Sequence, residues 1–230
     1  MSQTVTIYSD IHCPWATVAV HRLRRARDES GLDVVFDPRA WPLEWVNERG
    51  TPRHIVEPEA AVLANHEEEL FSRFAGASWP STFLPAFELV AAARRAVGPR
   101  AAEETDYQLR LRFFRHGADV SLRHELRAAA AAAATAGGFD AATVLKVWET
   151  EPVRADVVAD FERSKGLPVQ GSPQVFWPDG STSHNPGFDD YEVVRGIPRI
   201  RASDPQEPAR LLRATSAAGP GREPTGRPPR

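Results

Sequence analysis

Val5, Ile7 and Ser9 alternate with Thr6, Tyr8 and Asp10, which predicts a short buried strand over 5–9. From Pro14 the period changes. Val18, Ala19, Leu23 and Ala26 recur at helical spacing, arginines take the opposite face, and Gly31 supplies a stop. Pro14 suits a first helical turn, where its missing N–H would have been unpaired anyway. Residues 32–36 are β-branched and aromatic and read as a second strand. Strand, helix and strand in this order make a βαβ unit with parallel pairing.

Beyond this unit the pattern turns helical. Helices are expected over 58–74, 84–97, 101–116, 122–136 and 141–148, with Ser81 and Asp140 as N-caps and Gly137-Gly138 as a stop. The alanines Ala128–Ala134 sit inside a periodic segment and predict a close-packed helix face. A further amphipathic helix over 153–165 closes at Gly166. An apolar strand over 169–177 contains Pro173, Asp179-Gly180 marks a turn, and 182–185 is its antiparallel partner. A last helix is expected over 191–200, broken at Pro198, and a flexible tail over 203–230, where Pro, Gly, Arg and Ser dominate. The two flanks share a sheet-building character. The fold class expected is therefore α/β, one domain (1–55 and 150–202) interrupted by a helical insertion (56–149).

Composition removes several function classes. The chain has 230 residues, 42% of them apolar, and a formal charge of −3, so a polyanion partner is not favoured. There is no glycine-rich phosphate loop, no basic stripe with aromatics, and no histidine pairing at metal-ligand spacing. The N-terminus lacks a signal pattern and no apolar run would cross a bilayer, so a cytoplasmic protein is expected, without nucleic-acid, membrane or metal partners. The chain holds 1 cysteine, which rules out an intramolecular disulfide.

That cysteine, Cys13, lies between the first strand and a helix opening at Pro14. Unpaired N–H groups and the helix dipole would stabilise a thiolate there and lower its pKa. Cys13 is thus the candidate nucleophile. A protonated His12 beside it would act in the same direction, unless its ring simply faces solvent. Trp15 would shield the sulfur or contact substrate, and Asp10 would move protons or close the turn; Tyr8 and Trp41 read as core.

The segment Ser9-Asp10-Ile11-His12-Cys13-Pro14-Trp15-Ala16 resembles the active-site turn of DsbA-like thioredoxin-fold proteins, above all the FrnE-type dithiol–disulfide isomerase branch. Trp41-Pro42-Leu43, the run from Leu111 to Val120 and Gly171-Ser172-Pro173 extend the likeness over about 200 residues. The resemblance implies a thioredoxin-like fold of the DsbA/FrnE type with its helical insertion. It implies that Cys13 is the nucleophile and that the Ser172–Pro173 peptide is cis and faces it. His12, Pro14, Trp15, Ser172 and Pro173 would then bind substrate, which would pair with the Ser172 backbone as an added strand. Ala16 stands where the branch has its resolving cysteine.

A methyl group cannot resolve a mixed disulfide, so dithiol chemistry within this chain is excluded. The expectation is a thiol–disulfide oxidoreductase or isomerase working by monothiol exchange. It would hold no tight cofactor, use a low-molecular-weight thiol such as glutathione or mycothiol as co-substrate, and act on a protein or small-molecule thiol or disulfide. The insertion would wall the groove, with Phe71, Trp79, Phe83, Phe87 and Phe113 as candidates, although most large apolar residues belong in the core. Two rivals stand beside it. One is a small-molecule enzyme like the kappa-class glutathione transferases or hydroxychromene carboxylate isomerases, which use Ser at this turn. The other is a non-catalytic thioredoxin-fold binding protein. Monomer and homodimer are both left open.

Overall fold

Strand β1 (Gln3–Ser9) is the hub of the sheet. It pairs in parallel with β2 (Val34–Ala40), Val5 opposite Phe36, and antiparallel with β3 (Gln174–Phe176), Ile7 opposite Val175. β4 (Thr182–His184) runs antiparallel along β3, so the order is β2-β1-β3-β4. Helix α1 (Pro14–Ser30) is the crossover of the βαβ unit and ends at Gly31, whose φ of 65° is the left-handed conformation that favours glycine. The computed structural model describes residues 2–50, 52–74, 76, 78–188 and 190–217.

Between β2 and β3 the chain is helical. In order come α2 (Leu43–Val46), α3 (Arg53–Leu63), a 3₁₀ turn (Glu68–Leu70), α4 (Leu84–Ala96) and α5 (Pro99–Arg110). A π-helical turn (Leu111–Arg115) follows directly, then α6 (Arg123–Gly137), α7 (Ala141–Thr150) and α8 (Arg154–Ser164). Several ends differ from the sequence reading: the helix expected to run to 74 stops at Leu63, the one expected to 116 gives way to the π turn after Arg110, and the strand expected over 169–177 shortens to Gln174–Phe176. Helix α3 starts at Arg53 and holds Pro58 inside it, leaving the carbonyl of exposed His54 without its usual donor. Ser81 does not cap α4; Thr82 Oγ1 accepts from Leu84 N at 3.2 Å instead. Asp140 does cap α7, accepting from Ala142 N.

The segment expected as a last helix is a β-hairpin. β5 (Asp190–Val194) and β6 (Ile197–Ala202) pair antiparallel with Val194 opposite Ile197. Arg195 and Gly196 between them both have positive φ, 53° and 78°, which is the two-residue turn that suits the twist of a hairpin. The β-branched residues Val193, Val194, Ile197 and Ile200 favour strands over the helix read from the sequence, and Pro198 sits in a two-stranded ribbon where both strands are edges. The tail reading also needs correction. Residues Glu207–Ala217 form α9, with Ala209 and Leu212 buried against α1 and the sheet. The remainder of the expected tail, 218–230, lies outside the described residues.

Burial sorts into three cores. Val5, Ile7, Leu23, Phe36, Val175 and Leu212 gather between the sheet, α1 and α9. The larger helical core includes Phe87, Leu109, Phe113 and Phe114 and reaches Ile11 and Ala40, just at or past the C-terminal ends of β1 and β2. A third, smaller core sits beside them and contains Cys13, Trp15, Ala16, Val18, Leu63, Leu70 and Phe188. Of the aromatics considered for a groove wall, Phe83, Phe87 and Phe113 are buried in the helical core, and Phe71 and Trp79 are half-buried.

Candidate functional site

Cys13 is the N-cap of α1, and its sulfur accepts from Ala16 N at 3.5 Å. Pro14 occupies the first helical position and is buried. Across from the turn, the Ser172–Pro173 peptide bond is cis, and Pro173 is buried. The Cys13 S–H donates to the Ser172 carbonyl at 3.1 Å. Ser172 Oγ accepts from Asp10 N at 2.8 Å, so one residue touches both ends of the Asp10–Cys13 turn. Trp15 packs edge-on against Phe188 at 5.4 Å and at a tilt against Tyr191 at 4.6 Å. The structure thus brings Cys13, Pro14, Trp15, Ser172 and Pro173 together.

The electrostatic expectation for Cys13 is overturned. The residue is 5% exposed, and burial pushes the thiol from its ordinary 9.0 up to about 12. Hydrogen bonds from the Ser172 side chain and the Ala16 amide pull the other way, while the charges of Glu59 and Asp10 add to the rise. Three pKa units correspond to about 4 kcal/mol against the thiolate. A helix terminus contributes at most about 2 kcal/mol in its favour. Desolvation therefore wins, and the resting group is a thiol.

His12 is 1% exposed, so its ring does not face solvent. It stacks on Phe83 with centroids 4.5 Å apart. Its Nδ1 lies 2.6 Å from Asp10 Oδ1 but off a hydrogen-bond axis. Asp10 is chiefly a brace. Its Oδ1 accepts from His12 N at 2.8 Å and its Oδ2 from Leu43 N at 2.6 Å, which ties the cysteine turn to α2. Tyr8 is buried and Trp41 half-buried.

Sequence reasoning did not find Glu59, Phe188, Tyr191 or Arg110. Glu59 lies on α3, where burial raises its carboxyl pKa, opposed by the charge of His12 and a hydrogen bond from the Trp15 side chain. Nothing in its local sequence connects it to Cys13. Replacing Glu59 with Gln removes a charge that raises the Cys13 pKa and keeps an acceptor for Trp15. The expected outcome is a lower Cys13 pKa, read as about two- to ten-fold faster alkylation at pH 9–10. An unchanged pH–rate profile would show that Glu59 does not act on the sulfur.

His21, Glu67 and Glu69 also converge, close enough to share a cation. The guanidinium groups of Arg22 and Arg25 already pair with Glu67, at 2.6 and 3.0 Å, so that carboxylate charge is spent. Among the described residues no helix is long and apolar enough to cross a membrane.

Solved structures share this architecture. The cytosolic disulfide reductase DsbM from Pseudomonas aeruginosa superposes with a TM-score of 0.61 at 18% identity, covering 94% of this chain and 100% of its own. Its structure with GSH gives 0.59 at 17%, covering 93% and 99%. A 2-hydroxychromene-2-carboxylate isomerase gives 0.56 at 14%, covering 78% and 87%. At such identities the likeness is one of fold. No curated protein matches the sequence. A family model does, that of the DSBA-like thioredoxin domain, over residues 4–197. The match runs from β1 to the start of β6, taking in both the cysteine turn and the loop opposite, and this chain belongs to the DsbA-like thioredoxin domain family.

Proposed function

We propose that the protein is a thiol–disulfide oxidoreductase or isomerase that works by monothiol exchange through Cys13. The observation that carries this reading is the sulfur at the N-cap of α1, 3.1 Å from the Ser172 carbonyl, with the buried methyl of Ala16 where a second thiol would stand. A substrate disulfide entering beside Pro173 takes the Ser172 carbonyl as its own backbone partner and frees the S–H. The Cys13 thiolate then attacks one sulfur of R–S–S–R′. The Cys13–S–S–R bond forms, the original S–S bond breaks, and R′S⁻ leaves and takes up the proton that Cys13 lost. A low-molecular-weight thiol attacks the R sulfur, forms a new mixed disulfide and returns Cys13 to its reduced state. One disulfide is exchanged for another, with no net oxidation of the protein.

The GSH-bound DsbM structure supports glutathione as that thiol, and a cytosolic setting would supply it. We read 1–55 and 150–202 as the thioredoxin-like unit and 56–149 as its insertion. A second reading, a binding protein with a retired nucleophile, is favoured by one observation, the thiol pushed up to about 12.

Incubation of the reduced, folded protein with glutathione disulfide at pH 8 separates the two. The expected result is one glutathionyl adduct by mass spectrometry, removed by added glutathione with turnover and absent in Cys13→Ser. Adduct formation only after denaturation would sink the exchange reading and leave the binding protein.

A further inference from the structure

Beyond Pro173 a cavity of about 290 Å³ opens along β4 towards β5, bordered by Gln174, His184, Asn185, Phe188 and Tyr191 among others. Two of these residues carry buried polar atoms without a partner. They are Nε2 of Gln174, a residue 0% exposed, and Oδ1 of Asn185, a residue 4% exposed. A buried orphan of this kind costs stability unless something fills it.

The surrounding hydrogen bonds settle which way each amide points. Gln170 N–H donates at 3.1 Å to Gln174, so the receiving atom is oxygen and the other is the NH₂. The Pro173 carbonyl, 2.9 Å from His184 Nδ1, only accepts, so Nδ1 carries the proton. Burial lowers the His184 pKa, which keeps the ring neutral and leaves Nε2 as an acceptor. Asn185 must then donate its Nδ2 to that nitrogen, at 3.2 Å, and its oxygen is the orphan. One free donor and one free acceptor therefore belong to residues that border the cavity.

We propose that this cavity is a subsite for an uncharged amide unit, a peptide bond or carboxamide, carried by the thiol or disulfide substrate. The ligand's carbonyl accepts from Gln174 Nε2 and its N–H donates to Asn185 Oδ1. A carboxylate would satisfy the glutamine and meet the asparagine oxygen with like polarity; an ammonium would do the reverse. Among the described residues no carboxylate borders the cavity, and the one basic side chain there, His184, is kept neutral by burial, so either charge would find no counter-charge. The volume fits a unit of one or two residues. Phe188 and Tyr191 supply apolar walls, and both pack on Trp15, two residues from the sulfur. Gln174 is two strand positions from Ser172, about 7 Å. The subsite would thus hold a peptide unit adjacent to the reacting sulfur. This assignment deepens the exchange reading and rests on it for its role, though not for its binding.

The test uses a probe without sulfur, N-acetyl-alanine N′-methylamide, titrated into the reduced full-length protein. The NH₂ resonances of Gln174 and Asn185 are followed by NMR. The expected result is saturable shifts of both with a millimolar dissociation constant, and about ten-fold weaker binding in Gln174→Glu, which turns the donor into an acceptor. Absence of shifts in the wild-type protein at about 0.1 M probe would overturn the proposal, whether or not the variant folds. So would equal or larger shifts with acetate or methylammonium, which would show a charged ligand. Failure of Cys13 to exchange with glutathione disulfide while the shifts appear would reject the enzymatic reading alone.

Discussion

Reduced protein treated with iodoacetamide at pH 7.5 is expected to lose its thiol at least about 50-fold more slowly than an unperturbed cysteine. The figure follows from two opposing effects. Moving the thiol from 9.0 to about 12 lowers the thiolate fraction at neutral pH by about a thousand-fold. The more basic thiolate is a better nucleophile, and over three pKa units this recovers about twenty-fold. Steric cover by Trp15, Leu63, Leu70 and Phe188 slows the reaction further. The logarithm of the rate should climb linearly with pH through 10 without a plateau. A plateau at or below pH 8 would reinstate the helix-stabilised thiolate and reject desolvation as the dominant effect.

The same shift has a stability consequence with a definite sign. The folded thiol holds its proton more tightly than the unfolded one. Its contribution is complete below pH 9 and is lost as pH rises towards about 12, by up to about 4 kcal/mol. Tyr8 and Tyr107, both raised by burial, act with the same sign at alkaline pH. The comparison with Cys13→Ser, whose hydroxyl does not titrate, isolates the thiol.

Where the chain carries its information locally, it was readable. The alternation at Val5 and Ile7, the Pro14 helix start and the Gly31 stop all depend on residues within a turn of one another, and β1, α1 and β2 follow from them. The cap at Asp140 is of the same kind. The failures share a different cause. The hairpin of β5 and β6 was decided by two positive φ values at Arg195 and Gly196, which the apolar count alone does not register. Helix α9 was hidden in a proline-rich context, although Ala209 and Leu212 keep helical spacing. The state of Cys13 was misread because local structure supplies the helix terminus, whereas the burial that outweighs it comes from Leu63, Leu70 and Phe188, distant in sequence. Glu59 and the Gln174–Asn185 pair are tertiary for the same reason. Arg110 left one trace, an acid four residues before it on a helix, but that spacing is common on exposed faces.

Arg110 is where the largest loss of stability is expected. Its guanidinium is 0% exposed and makes four hydrogen bonds: to Asp106 Oδ2 at 2.8 Å and Oδ1 at 3.0 Å, to Ser9 Oγ at 2.8 Å and to the Asp10 carbonyl at 2.9 Å. It therefore joins the end of α5 to the end of β1 and the turn that carries Cys13. Arg110→Ala strands the buried carboxylate of Asp106 and leaves the Ser9 and Asp10 groups short of a donor. Removing one partner of such a pair costs about 3–5 kcal/mol. For a chain of this size that is a fall in Tm of about 6–20 °C. Replacing both partners, Arg110→Met with Asp106→Leu, should recover most of the loss, because no charge is then left unpaired. Cys13 in Arg110→Ala should also alkylate faster below the melting transition, since the Asp10 turn has lost its anchor. Urea unfolding and the alkylation rate read the two effects separately. An Arg110→Ala protein within about 1 kcal/mol of wild type would show that the guanidinium does not brace the turn, and a double variant less stable than the single one would show that the pair is more than a neutralised charge.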